Sequence, residues 1–98
     1  MIRVELQHFH GCPNGPELLS RTREAVAHCR ERVDFREVVM DTPELAVRHR
    51  FRGSPTLLIN GEDFTGLPAP EESLLSCRIY PDGLPTVAEI IAKIEAAE

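Results

Sequence analysis

The sequence predicts an α/β domain, a four-stranded mixed sheet flanked by three helices in the order βαβαββα. Three observations point there. Period-two alternation over Ile2–Phe9 gives way to helical spacing from Leu18 to Cys29. A strand-like run from Val33 to Met40 is again followed by a helix start at Asp41-Thr42-Pro43-Glu44. The apolar run Thr56–Ile59 then meets Asn60-Gly61, the strongest hairpin signal in the chain. Strands separated by helices pair in parallel through right-handed crossovers, and the hairpin adds an antiparallel pair.

The first strand carries Ile2, Val4, Leu6 and His8 on one side and Arg3, Glu5, Gln7 and Phe9 on the other, which gives one well-filled apolar face. In the turn Gly11-Cys12-Pro13-Asn14-Gly15-Pro16, Pro13 suits the first helical position and Cys12 the N-cap. Leu18, Leu19, Thr22, Ala25, Val26 and Cys29 form the buried stripe of a helix expected to end near Glu31. The second strand buries Phe35, Val38 and Val39, but Asp34, Arg36 and Glu37 suit it to a sheet edge. The second helix runs to Arg50 or Phe51, with Gly53 placed to stop it. Glu62–Thr65 pairs back after the hairpin turn. Gly66–Ser73 is a proline- and acid-rich loop, and Leu74–Tyr80 fits either a strand or irregular cover. Thr86-Val87-Ala88-Glu89 is a capping box opening a last helix that buries Val87, Ile90, Ile91 and Ile94.

Ninety-eight residues, 42% of them apolar, make a single domain, residues 1–98, with room for one core. No apolar window of about eighteen residues exists to span a membrane. Charge within Met1–Glu5 argues against a signal peptide and for a cytoplasmic protein. A net charge of −5 argues against nucleic-acid binding. Three cysteines at irregular spacing do not form a disulfide framework.

The chemistry concentrates in two stretches. Cys12 stands where a strand ends and a helix begins, and there unpaired N–H groups and the positive end of the helix dipole favour a thiolate. The second stretch is Gly53-Ser54-Pro55-Thr56, a proline directly before a β-branched apolar run. Cys29 falls on the apolar helix face and reads as core. His8, His10 and Cys12 alternate in a way that invites a soft metal. The strand must break at Gly11, however, and no fourth ligand is evident, so no metal site is assigned. His10, when charged, would favour the Cys12 thiolate further. Arg48, His49, Arg50 and Arg52 read either as a solvated helix end or as a patch that steers an anionic thiol.

Phe9-His10-Gly11-Cys12-Pro13, Gly53-Ser54-Pro55-Thr56 and the late Cys77-Arg78-Ile79-Tyr80, in this order of elements, resemble the small bacterial members of the thioredoxin-like superfamily across nearly the whole chain. The resemblance implies a thioredoxin-like fold and a cis Pro55 facing Cys12. It also makes Ser54, Pro55 and Thr56 a substrate-facing loop whose backbone receives an extended peptide or glutathione. One departure stands out: a dithiol oxidoreductase has Cys-x-x-Cys, and the position three after Cys12 is Gly15. A mixed disulfide on Cys12 would then be released by an external thiol or by Cys77, which must come within about 7 Å, Cα to Cα. The alternative for Cys77 is a small buried apolar residue.

The expected activity is therefore thiol–disulfide exchange or thiol transfer through Cys12. It requires no cofactor; glutathione is a possible co-substrate, and the partner is a protein disulfide or a low-molecular-weight thiol. Two rival readings are a thioredoxin-fold binding module in which Cys12 is incidental, and a carrier of soft metal or metalloid ions using Cys12 with His10 or Cys77.

Overall fold

The computed structural model describes residues 1–29 and 32–97. Nine elements follow one another: β1 (Ile2–His8), α1 (Asn14–Cys29), β2 (Val33–Val39), α2 (Pro43–His49), β3 (Arg52–Ser54), β4 (Thr56–Ile59), β5 (Glu62–Asp63), β6 (Leu74–Cys77) and α3 (Val87–Ala96). Four of the strands form the expected mixed sheet in the order β2-β1-β4-β5. The β1–β2 pair is parallel, with Ile2 opposite Val33 and His8 opposite Val39. The β1–β4 and β4–β5 pairs are antiparallel. The charged interruptions of β2 place it at an edge, as predicted. A second, two-stranded sheet pairs β3 with β6 in parallel.

The two faces of β1 hold separate cores. On one, Ile2, Val4, Leu6, Leu57 and Ile59 pack against Leu18, Ala25 and Cys29 of α1 and Ile90 and Ile94 of α3. Arg21 of α1 reinforces this layer by donating to the carbonyls of Leu84 and Pro85, which lead into α3. On the other face, Met40, Ala46 and Phe51 are fully enclosed with Phe9, Val38 and Leu45 beside them, so α2 covers that side. Full burial of a Leu or Phe side chain contributes roughly 1.5–3 kcal/mol, so these two clusters dominate the favourable side of folding.

Local chemistry sets the boundaries. The Thr42 hydroxyl accepts from Leu45 N to open α2, and Thr86 and Glu89 cap α3 reciprocally. Asn60 and Gly61 both adopt positive φ (52° and 83°), the pair of conformations that a two-residue hairpin turn needs. The Ser54–Pro55 peptide is cis.

Several boundaries differ from the sequence reading. α2 stops at His49 because Arg50 takes the left-handed conformation (φ 50°, ψ 54°) and donates back to the carbonyls of Ala46 and Val47. Gly53, expected to end that helix, lies inside β3 at φ 102°. α1 begins at Asn14, so Pro13 separates it from Cys12, which is not the N-cap; the Cys12 carbonyl accepts instead from Gly15 N at 3.1 Å. The expected end of that helix, at Glu31, lies outside the described residues. β5 is only two residues long, because the Asp63 carboxylate accepts from Thr65 N and Leu67 N and turns the chain away. Leu74–Tyr80, open between two readings, begins as strand β6.

Candidate functional site

β1 delivers the chain to the turn before α1, where Cys12 is only 3% exposed. Beside it comes β6, whose four residues are all exposed. Cys12 and Cys77 are 65 positions apart and joined by a disulfide, with Cα atoms 5.9 Å apart. Cys77 is therefore not the buried apolar residue that was its alternative reading. Cys29 is free and buried in the core, as its place on the helix predicts.

Ser54 is the hinge of the arrangement. It pairs in register with Cys77, its carbonyl accepts from Arg78 N at 2.8 Å, and its hydroxyl accepts from Phe9 N at 3.1 Å. The turn is held internally as well: the Thr56 hydroxyl donates to the Gly53 carbonyl at 2.6 Å, and the Tyr80 hydroxyl donates to the Pro55 carbonyl. Ser54, Pro55 and Thr56 are all buried. The segment carrying Cys77 thus lies over the loop expected to receive a substrate and occupies its backbone groups.

Gly53 allows that close approach. A Cβ at this position would stand 3.1 Å from Arg78 Cβ and 3.2 Å from the Ser76 carbonyl oxygen, and its φ of 102° is one that side chains rarely adopt.

Below the disulfide, Arg78 clamps its segment to the hairpin. Its Nη1 and Nη2 meet the two Asp63 oxygens at 2.6 and 2.9 Å, and it reaches the hydroxyls of Thr65 and Thr56 at 2.7 and 3.2 Å. The Asp63 side chain is buried and that of Arg78 is 9% exposed, and the guanidinium carbon lies 4.8 Å from the Tyr80 ring centroid. Burial pushes the Asp63 carboxyl up. The hydrogen bonds from Arg78 and Thr65, the Arg78 charge and the Leu67 N–H outweigh it and hold the group below its ordinary 3.8. Burial, more than any charge, pushes the Tyr80 phenol up to about 12, so it remains a donor at neutral pH. Sequence reasoning missed Asp63. Its only signal was an acid two residues past the Asn60-Gly61 turn, next to another acid, Glu62, from which nothing in the sequence sets it apart.

The neighbouring histidines do not join the cysteines. His8 is buried, with Nε2 2.8 Å from Oε2 of Glu37, whose other oxygen, Oε1, accepts from Arg23 at 3.0 Å. That hydrogen bond is the main reason the Glu37 carboxyl lies below its ordinary range. His10 is exposed, its ring edge-on to His8 at 6.3 Å. Among the described residues no cluster of three His, Cys, Asp or Glu side chains is gathered to hold a metal ion.

Three of the four residues in the basic run have internal partners, His49 through its Nδ1 3.9 Å from a Glu5 carboxylate oxygen. Arg52 Nε donates to the Leu67 carbonyl at 3.0 Å, and Arg50 donates to the carbonyls of Ala69 and Pro70. These two arginines hold the Gly66–Ser73 loop.

Among the described residues no helix is long and apolar enough to cross a membrane. Comparison of the chain with protein-family models, curated proteins and solved structures finds no match.

Proposed function

We propose that this chain is a thioredoxin-like thiol–disulfide exchange protein whose working couple is Cys12–Cys77, reacting with a protein disulfide or a low-molecular-weight thiol such as glutathione. One observation carries the reading: two cysteines 65 positions apart meet where β1 gives way to α1, one enclosed and the other at the surface. The helix start favours the thiolate form of Cys12, and an exposed partner cysteine gives external thiols a route to the couple. Cys77 takes the place of the second cysteine that a Cys-x-x-Cys motif would supply.

Equilibration in glutathione buffers of graded ratio, followed by acid quenching, alkylation and mass mapping, tests it. The Cys12–Cys77 bond should open and close with the buffer ratio. Cys12→Ser and Cys77→Ser should each abolish turnover of a model disulfide, and Cys29→Ser should leave it intact. A disulfide that stays closed at every ratio sinks the proposal. That result would support a second reading, a structural staple, which the Asp63–Arg78 clamp on the same segment favours.

A further inference from the structure

The two sulfurs of the couple are not equivalent to an incoming thiol. A thiolate displaces a disulfide sulfur along the S–S line, from behind the atom it attacks. Cys12 is 3% exposed and so denies that approach. Cys77 is exposed, and so are Leu74, Leu75 and Ser76, the rest of its strand. Among the described residues β6 pairs with no strand other than β3, so its outer edge carries no ladder. The leaving side points the same way, because the thiol whose anion is better stabilised departs faster. Cys12 stands two residues before the first residue of α1, where that anion is favoured.

Resting on the exchange reading above, we infer that the external thiol enters at Cys77 and that Cys12 is the internal thiol. This inverts the order that the sequence implies, in which Cys12 meets the substrate and Cys77 resolves. The external thiolate RS⁻ attacks Cys77 Sγ; the Cys77–S–S–R bond forms, the Cys12–Cys77 bond breaks, and the electron pair leaves on Cys12 Sγ. A second RS⁻ attacks the R sulfur, releasing RSSR and Cys77 thiolate. Two external thiols are oxidised and the protein disulfide is reduced. In reverse, Cys77 thiolate attacks RSSR, and Cys12 thiolate then closes the protein disulfide and expels RS⁻.

The segment is built to survive the intermediate. Leu74 N donates to the Phe51 carbonyl, Arg78 N to the Ser54 carbonyl, and Arg78 grips Asp63, and none of these contacts runs through the disulfide. Cys77 therefore stays beside Cys12 while it carries the adduct, and return attack is fast.

The test is to mix oxidised wild-type protein with reduced glutathione, quench in acid at early times, alkylate the freed thiol and map both labels by mass spectrometry. Glutathione on Cys77 with the alkyl group on Cys12, in at least tenfold excess over the reverse, is the expected result. Glutathione mainly on Cys12, or equally on both, overturns the inference and leaves the exchange reading standing. No adduct on either cysteine, in protein whose disulfide a phosphine reductant does open, overturns both. A second measurement guards against migration of the adduct. Oxidised glutathione should modify reduced Cys12→Ser at Cys77 and leave the adduct stable; slower modification than in Cys77→Ser counts against the inference.

Discussion

Asp63 and Arg78 form the polar contact with the most at stake, since each buried charge is tolerable only while the other is present. Removing one partner of such a pair typically costs about 3–5 kcal/mol, because the survivor stays buried without compensation. Asp63→Asn should therefore lower unfolding free energy by about 3 kcal/mol, read as a urea midpoint shift at constant slope. The same substitution should change the acid limb. The Asp63 pKa is depressed in the folded state, so its contribution is fully present above its unfolded value near 3.8 and is lost as pH falls through the folded value. Stability measured from pH 5 downward should fall less steeply in the variant. Neither residue announces this role in the sequence. They lie 15 positions apart, one beside a hairpin turn and the other in a stretch without clear periodicity, and only the tertiary path of residues 66–77 brings them together.

Among the elements, the large ones were legible and the small one that builds the site was not. Alternation in Ile2–Phe9, the spacing of the α1 stripe, the capping residues Thr42 and Thr86, and Asn60-Gly61 all predict locally what the chain does, because each works through neighbours a few residues away. β3 has only three residues and no pattern of its own; it exists because β6 pairs with it. Gly53 was misread for the same reason, since a glycine shortly after a helix looks like a stop signal until a second strand is seen crossing over it. Gly53→Ala should cost about 1–3 kcal/mol, from the positive φ and the crowding against Ser76 and Arg78. Faster hydrogen exchange at Arg78 N, which donates to Ser54, would localise the damage to the β3–β6 pair. Unchanged exchange there would show that the two strands adjust without loosening.

At the scale of the molecule, the two cores account for the sheet and helices, while the segment from Gly66 to Tyr80 lies outside both clusters and is held by hydrogen bonds, the Asp63–Arg78 ion pair and the disulfide. Composition suggested free thiols, and the pairing of Cys12 with Cys77 was legible only as a distance that had to be met. Closing a loop of this length restricts the unfolded chain by about 4 kcal/mol in the chain-entropy account. Reduction should therefore lower the unfolding free energy of the wild-type protein by that order, read as a fall in its urea midpoint, and leave the midpoint of Cys12→Ser, which has no bond to lose, unmoved. Its own midpoint should match that of the reduced wild type.

The covalent bond also makes residues 12 to 77 a closed ring, with residues 1–11 and 78–98 as free tails. Pulled from its two ends, the oxidised chain can pay out only its tails, because tension crosses the ring through sulfur. Breaking that bond in a stretched molecule releases the 65 hidden residue spacings at once, roughly 220 Å of contour at 3.3–3.6 Å per residue. A single-molecule trace taken with a dissolved thiol should show that step, and its rate should follow the thiol concentration. The exchange chemistry of this couple would then be readable as a length, one molecule at a time.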